Sequence, residues 1–345
     1  MNYSFSFSVG IDISKDYFDV AVLNFASHEL KISGRFPNNS KGSEALLNWL
    51  KKHKIESAQC LFCMEATGIY SDPLADLLSK KALHVWVGHP YSMSKVMSEQ
   101  RGKEDSLDAL KIAHYAIRYR DKFRAYSPLP EALKEIRYLF RIRSLLVKTH
   151  KQLKAYLKSE QFGERSLCAE LSALLSPTQE AKKATIKFIE KKIIEVMKQD
   201  GRLWRVFKHA QSVKGVGFVT AVYLLIITRG FTRFNSVKEL ACYCGIVPFP
   251  HKSGSSIQRG NKVHPASNKK LKSLLHMCAL SAVQNDPELK AFYERRLALG
   301  KNKMSELNVI RNKILSRIWS CVRGQRNYVP RPQGTSRPGE QKRAA

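Results

Sequence analysis

Four acidic residues, widely separated in the sequence, have the type and placement needed to bind divalent metal ions. Asp12 interrupts the apolar segment V-G-I-D-I, and Glu65 ends the apolar run C-L-F-C-M-E. Asp105 and Asp108 are spaced i, i+3 at the start of a predicted helix, which places them on one helix face. Mg²⁺ or Mn²⁺ takes carboxylate oxygens as ligands, and two such ions about 4 Å apart can activate a nucleophile and stabilise a leaving oxygen. The quartet therefore predicts a metal-dependent enzyme.

Each of these carboxylates, taken singly, also has an ordinary explanation. Asp105 could be a helix N-terminal residue that the macrodipole favours, and Asp12 could be a turn former at a strand end. A charged side chain inside an apolar strand is costly, however, unless something compensates it. We interpret Asp16 and Asp19 as turn or hairpin residues and leave them out of the predicted site.

The net charge of +30, from 59 Lys and Arg against 29 Asp and Glu, predicts a polyanionic partner. Lys and Arg release condensed counterions when they neutralise nucleic-acid phosphates. Nucleic acid is favoured over an anionic membrane, since the sequence has no clear amphipathic basic anchor or lipidation signal. The first nine residues lack the pattern of a secretion signal, and the longest apolar run, Phe218 to Ile227, is too short to span a bilayer. We expect a cytoplasmic protein with no membrane segment.

The seven cysteines do not form the pattern of a disulfide framework. Cys60 and Cys63 form a C-x-x-C, but within a strand their side chains would point to opposite faces of a sheet. Cys242 and Cys244 have no partners at the spacing of a zinc site. We expect buried, reduced thiols.

Residues 1–127 alternate between strand-like and helix-like patterns, which predicts an α/β domain with a mixed sheet. Several strands come first, and helices and strands then alternate. The predicted strands are Phe5 to Ile13, Phe18 to Asn24, Leu30 to Phe36, Cys60 to Met64 and His84 to Val87, and the predicted helices are Gly42 to His53, Pro73 to Lys81 and about Ser106 to Arg118.

Residues 128–208 are predicted to form an almost entirely helical connector. One helix repeats apolar residues from Leu133 to Leu157 and has a strong excess of basic side chains, which predicts contact with a nucleic-acid backbone. Our candidates for that contact are Arg141, Lys148 and Lys151. A second amphipathic helix, Ala181 to Lys198, could form an antiparallel pair with the first or a dimer contact.

Residues 209–325 are predicted to form a mostly helical domain, and residues 326–345 a disordered basic tail. Lys214, Gly215 and Gly217 belong to a K-G-V-G segment that precedes an apolar helix. Glycines allow backbone N–H groups to approach a phosphate at a helix N-terminus. A simple tight turn explains the same pattern equally well.

Three segments of the first domain, G-I-D-I-S-K-D-Y-F-D-V-A-V, M-E-A-T-G-I-Y and K-E-D-S-L-D-A, resemble the IS110 family of bacterial insertion-sequence transposases. The resemblance implies an RNase H-like, RuvC-type fold whose D-E-D-D quartet falls on Asp12, Glu65, Asp105 and Asp108. It also implies DNA as the substrate, and Lys103, at the start of the third segment, is assigned to nucleic-acid binding. The family usually has Thr, Ser or Asn where this chain has Glu104.

The segments S-V-K-G-V-G-F-V-T-A and S-G-S-S-I-Q-R-G resemble the second domain of the same family. The latter segment matches a polar loop that carries a serine nucleophile, which falls on Ser253, with Lys252 and Arg259 beside it as phosphate contacts. The resemblance implies strand cleavage, exchange and religation through a transient phosphoserine. It further implies a homo-oligomer, either dimer or tetramer, that a structured bridge-type RNA guides, in the bacterial cytoplasm at the nucleoid.

Three other functions stay open at this point. Relatives within the family act as site-specific DNA invertases. A RuvC-like junction nuclease would use the same carboxylates with water as the nucleophile and would not need Ser253. A non-catalytic nucleic-acid-binding scaffold would use the carboxylates only to cap helices and pair with cations.

Overall fold

A computed structural model of the chain describes residues 4–97, 105–160, 167–253 and 257–330. The chain divides into two compact units, Met1–Pro128 and Leu129–Ala345. No helix of the described residues is both long enough and apolar enough to cross a bilayer.

The first unit is built on a five-stranded mixed sheet with the order β3-β2-β1-β4-β5. Strands β1, β2 and β3 pair in antiparallel fashion, whereas β4 and β5 continue the sheet in parallel on the other side of β1. The predicted RNase H-like α/β fold is confirmed. The strands are β1 (Phe7–Ile13), β2 (Tyr17–Asn24), β3 (Leu30–Pro37), β4 (Cys60–Glu65) and β5 (His84–Gly88).

Helices cover both faces of this sheet, because consecutive residues of β1, β2 and β4 point to opposite faces and nearly all of them are buried. On one face, Val9 and Phe62 share a buried cluster with Leu46 and Leu74 of the helices that follow β3 and β4. On the opposite face, the sheet packs against the long helix that ends the unit. The helices are α1 (Ser40–Lys52), α2 (Asp72–Lys80), α3 (Pro90–Met97), which the sequence analysis did not predict, and α4 (Asp105–Arg118).

Helix α4 lies directly against strand β1. The Ser8 hydroxyl donates to the carbonyl oxygen of Ala113 at 2.8 Å. A Cβ at Gly10 would overlap the carbonyl oxygen of Ala109 and the backbone nitrogen of Ala113. Only glycine at this position therefore allows the two backbones to approach so closely.

The second unit is mostly helical. Its elements are α5 (Glu131–Glu160), α6 (Leu167–Gln199), α7 (Gly201–Gln211), α8 (Phe218–Ile227), α9 (Val237–Tyr243), β6 (Phe249–Ser253), β7 (Ile257–Lys262), α10 (Lys269–Asn285), α11 (Pro287–Ala298) and α12 (Lys303–Arg323).

The predicted connector and the predicted C-terminal domain share one hydrophobic core. Phe140 of α5 and Ile193 of α6 lie in the same buried cluster as Phe207 of α7 and Leu224 of α8. Helices α5 and α6 pack on each other within the chain. A boundary near residue 208 does not separate two cores, because the apolar faces of α5 and α6 are buried against the later helices.

Two sequence expectations for this unit are corrected. The Gly- and Ser-rich segment around Ser253 is not simply a polar loop, because strands β6 and β7 pair there as an antiparallel hairpin. The expected disordered tail does not begin at residue 326. The Tyr328 backbone N–H donates to the Ser212 hydroxyl oxygen at 2.8 Å, so the chain packs back onto the end of α7. Residues 331–345 lie outside the described residues.

Substitution Gly10→Ala should lower the stability of the first unit by about 3 kcal/mol, because an added methyl must push α4 away from β1. Thermal unfolding followed by circular dichroism measures the effect. Gly201→Ala is the control, since its nearest neighbour would lie 3.9 Å from the new Cβ. Equal unfolding midpoints for the two variants would contradict the close approach of α4 and β1.

Candidate active site

Asp12 and Glu65 lie on adjacent parallel strands at the same level. The register pairs Ile11 of β1 with Met64 of β4. One residue further along both strands, Asp12 stands opposite Glu65, and side chains in such positions point to the same face of a sheet. This is the face that α4 covers, because Cys63, two residues before Glu65, belongs to the buried cluster formed with α4. Both carboxylates sit where the strands leave the core, and both residues are partly exposed.

The packing of α4 on β1 brings the start of the helix to this pair. Gly10 lies against Ala109. Ser8, two residues earlier in β1, bonds to Ala113, four residues later in α4. Two strand residues advance about 6.6 Å and four helix residues about 6 Å, so strand and helix run in opposite directions with nearly equal steps. The next step along β1 places Asp12 level with the backbone of Asp105, the first residue of α4.

Asp108, one turn into α4, is held by a neighbouring lysine. Its Oδ1 lies 2.8 Å from Nζ of Lys111, and the Asp108 side chain remains 40% exposed. Since Lys111 is three residues further along the same helix, the pair is local and does not depend on the sheet. Asp108 is therefore partly neutralised through its Oδ1.

The donor set suits a hard divalent cation. All the candidate ligands are carboxylates, and oxygen ligands of this kind are those that Mg²⁺ and Mn²⁺ take. Among the side chains that the structure describes, no three Asp, Glu, His or Cys groups lie close enough to form a ready-made metal site. The Asp105 side chain is outside that described set. The residues fit the ion because all are carboxylates and because the backbone places Asp12, Glu65 and the start of α4 at the same end of the sheet.

Ser253 is the last residue of β6, at the tip of the hairpin. It pairs with Ile257, and the register then joins Lys252 to Gln258. Arg259 lies on β7 opposite His251. The backbone therefore places Ser253, Lys252 and Arg259 on one short hairpin. Their side chains, and the whole of Lys103, lie outside the described part of the chain.

The candidate basic residues of α5 are exposed. Arg141 and Lys148 are seven residues apart and Lys151 three more, so they share one side of the helix. Further along the chain, Lys214 is exposed before α8.

The two glycines of the K-G-V-G segment have different roles. Gly215 has φ +87°, and a Cβ there would lie 2.6 Å from the carbonyl oxygen of Cys278. The position therefore requires glycine for packing against α10. Gly217 is the N-cap of α8, and a Cβ there would meet nothing within 4 Å. The open backbone at Gly217 fits the predicted phosphate contact better than Gly215 does.

Sequence analysis left Asp19 out of the predicted site. It lies inside β2, within the predicted strand Phe18 to Asn24, and is only 7% exposed. Its partner is Arg35 on β3, whose Nε lies 2.8 Å from Asp19 Oδ1 and whose Nη2 lies 3.0 Å from Oδ2. The signal in the sequence was a charged residue inside the apolar run F-D-V-A-V, which is costly unless a cation compensates it.

The described cysteines are free, as expected. Burial raises the pKa of the Cys60 thiol to about 12 and raises that of Cys63 as well. Thiols of this kind are poor nucleophiles and poor metal ligands, because the thiolate is the reactive form. The C-x-x-C segment is part of the core.

Comparison with known proteins agrees with this geometry. Residues 9–160 match a transposase family defined by the DEDD domain of IS110 proteins. Residues 208–294 match the Transposase IS116/IS110/IS902 family. The chain belongs to the IS110 family of transposases. Membership makes it a DNA recombinase or transposase in general terms, with DNA as its substrate, and its DEDD domain indicates dependence on a divalent metal ion.

Relatives within the IS110 family match over very different lengths. The pilin gene-inverting proteins of Moraxella lacunata and Moraxella bovis are 25% and 26% identical over 339 residues, which is 94% of this chain and 98% of each relative. An insertion element IS110 protein of Streptomyces coelicolor is 30% identical over 120 residues, 35% of this chain and 29% of its own length.

In native protein at pH 8, Cys60 and Cys63 should react with a thiol reagent orders of magnitude more slowly than in urea. A pKa near 12 leaves about one thiolate in ten thousand at that pH. Mass spectrometry of labelled peptides measures the rates, and the half-buried Cys242 serves as the internal comparison. Rapid native labelling of Cys60 or Cys63 would show that the segment is accessible and reactive.

Proposed function

We propose that this IS110-family protein cuts and rejoins DNA in the transposition of an insertion sequence, with Ser253 as the nucleophile and the four carboxylates as metal ligands. The observation that carries the proposal is the position of Asp12 and Glu65. They stand opposite each other on adjacent strands, at the level where α4 begins. Separate parts of the sequence thus supply carboxylates to one end of one sheet.

Asp12, Glu65, Asp105 and Asp108 would hold Mg²⁺ or Mn²⁺. When bound, the ion supplies Lewis-acid stabilisation of the charge that develops on phosphate oxygens. The Asp108 carboxylate would exchange its contact with Lys111 for this role. Lys103, Lys252 and Arg259 would hold the backbone of the DNA near the point of cleavage.

The chemical step conserves the phosphodiester. The Ser253 oxygen forms a bond to phosphorus and loses its proton, while the bond from phosphorus to a deoxyribose oxygen breaks and that oxygen gains a proton. Religation runs in the opposite direction, with the hydroxyl of the new strand displacing Ser253. A phosphoserine intermediate conserves the energy of the cleaved phosphodiester bond, so religation needs no external energy source, which suits strand exchange.

The surface of α5 would bind nucleic acid through Arg141, Lys148 and Lys151, with Lys214 and the backbone at Gly215 and Gly217 as a second contact. All four charged residues are exposed. A structured bridge-type RNA is the proposed guide, and a homodimer or tetramer the proposed assembly, working at the nucleoid in the bacterial cytoplasm. The net charge of +30 is enough to hold both DNA and RNA phosphates.

Site-specific inversion is the alternative outcome of the same chemistry. It is favoured by the two relatives that match nearly the whole chain, both of which are named as gene-inverting proteins. A junction nuclease is a further alternative, since all four carboxylates belong to the first unit and Ser253 to the second. Hydrolysis by water would use the first unit's residues alone.

A recombination assay with the flanking DNA present tests the proposed chemistry. Asp12→Asn and Ser253→Ala should each lower product formation at least a thousandfold, because each removes a group required in the transition state. The matched control is Asp121→Asn, an exposed aspartate outside the site, which should behave as wild type. A covalent protein–DNA adduct should form in wild type and be absent from Ser253→Ala.

The outcomes separate the alternatives. Cleavage without an adduct, retained in Ser253→Ala, would establish a junction nuclease and refute the serine mechanism. Full recombination activity of Asp12→Asn would refute the metal site. DNA binding by wild type without any cleavage or recombination would leave only the binding scaffold.

Charge reversal of Arg141, Lys148 and Lys151 to Glu should weaken nucleic-acid binding and reduce the slope of log affinity against log salt by up to about 3, near 0.9 for each lost phosphate contact. Fluorescence anisotropy over a salt series measures both quantities. The control reverses Lys290, Lys301 and Lys303, three exposed lysines elsewhere in the same unit. An unchanged slope in the α5 variant would rule out this surface.

A further inference from the structure

Asp19 and Arg35 form a fixed ion pair beside the carboxylates. The guanidinium meets both carboxylate oxygens of Asp19, at 2.8 and 3.0 Å. Its Cζ also lies 4.1 Å from the ring centroid of Tyr17, so that it is held by a carboxylate and an aromatic face together. Two such contacts restrict the long arginine side chain before any ligand arrives.

The sheet registers place this pair in one row with the candidate metal ligands. Arg35 of β3 is opposite Asp19 of β2, and Asp19 is opposite Asp12 of β1. Asp12 in turn stands opposite Glu65, one residue beyond the pair Ile11 and Met64 of β1 and β4. We call Arg35, Asp19, Asp12 and Glu65 the charged row. Its members share one face of the sheet, since directly opposed residues point to the same side.

Exposure changes sharply within the charged row. The Asp19 side chain is only 9% exposed, whereas the Arg35 side chain is 53% exposed. β3 is the edge strand, and its neighbouring residues on this face, Ser33 and Pro37, are also exposed. The guanidinium therefore meets solvent at the edge of the sheet.

The distances suit a phosphate within a few nucleotides of the one that is cut. Strands lie about 4.8 Å apart, so the backbone of Arg35 is two spacings, or about 10 Å, from that of Asp12. Phosphates of one strand follow each other every 3.4 Å or so along the helix axis. Arginine is the side chain best suited to hold such a group, because its planar fork can donate several N–H bonds to phosphate oxygens.

A purely structural ion pair would not require this arrangement. An exposed pair contributes little to stability, and apolar residues serve a strand interior as well as a buried carboxylate does. Asp19 also places a second negative charge directly opposite Asp12, which is unfavourable unless a cation balances it. Arg35 supplies that cation at the position where the row meets solvent.

We propose that Arg35, oriented by Asp19 and Tyr17, binds a backbone phosphate of the DNA strand beside the metal-binding carboxylates. Asp19 is then a positioning residue that acts through Arg35. The inference rests on the proposed function, since it assumes that DNA is cut at the charged row.

DNA-binding measurements over a salt series test this contact without requiring cleavage. Arg35→Gln should weaken affinity about tenfold and lower the salt slope by about 0.9, the change for one phosphate contact. Arg35→Lys keeps the charge but cannot make the two-point contact, so its slope should stay near wild type while its affinity falls severalfold. Arg124→Gln removes an exposed arginine of the same unit and should change neither quantity.

A double-mutant cycle tests the role of Asp19. Asp19→Asn should weaken DNA binding severalfold, and Asp19→Asn with Arg35→Gln should be no weaker than Arg35→Gln alone, because Asp19 acts only through Arg35. Unfolding midpoints identify any variant that has lost its fold, and Arg35→Lys keeps a cation beside Asp19 in case Arg35→Gln does not fold. Additive losses in the cycle would overturn the positioning role.

The result separates this inference from the proposed function. If wild type recombines DNA and Arg35→Gln binds and recombines as wild type does, the phosphate contact is wrong and the proposed function stands. If Asp12→Asn recombines DNA fully while Arg35→Gln lowers the salt slope of DNA binding, the proposed metal chemistry is wrong. Arg35 then contacts DNA but lies beside no metal site.

Discussion

The contact between α4 and β1 is the constraint on which the candidate site depends. At Gly10 the helix and strand backbones approach so closely that no side chain fits between them. The hydrogen bond from Ser8 fixes the same contact one step earlier. Because strand and helix advance by similar amounts, the start of α4 must lie at the end of β1. The separation between Asp12 and the first turn of α4 is thus set by backbone packing.

Negative charge gathers at this end of the sheet and is balanced locally. Asp19 is neutralised by Arg35, and Asp108 by Lys111. The structure records no such carboxylate–cation pair for Glu65 among the described residues. Like charges on opposed strands destabilise a sheet unless a cation compensates them. A bound divalent ion would complete that compensation. The repulsion between carboxylates that destabilises the sheet would therefore also favour metal binding.

In the second unit, one hydrophobic core supports the long basic helix α5, and the same unit carries the short β6–β7 hairpin. Helices α5 and α6 are joined by an ion pair in which Arg143 Nη2 lies 2.6 Å from Glu190 Oε1. Their apolar residues also belong to the buried cluster that includes the later helices. The opposite side of α5 keeps its charges in solvent. Gly215, with positive φ and no room for a side chain, lets the α7–α8 turn rest on α10.

Much of this protein was determined by its sequence alone. Short apolar runs gave the five strands nearly to the residue, because burial on both faces makes the central strands apolar along most of their length. Motif order gave the family. It also predicts the quartet Asp12, Glu65, Asp105 and Asp108. The hairpin at Ser253 was taken for a loop, since its strands are short and polar and lack the alternation that burial imposes. Asp19 was interpreted as a turn or hairpin residue and left out of the site, because its carboxylate is typical of turns.

Only the tertiary structure decided which charges stand together. The β1–β2 hairpin follows from the local sequence. The parallel pairing of β4 with β1, and the register of the strands, are long-range properties that no local pattern reveals. Once β2, β1 and β4 lie side by side, Asp19, Asp12 and Glu65 fall in one row, and Arg35 joins it from the edge strand. The sequence specifies which residues carry charge, and the fold specifies the few ångströms between them on which electrostatic energy depends.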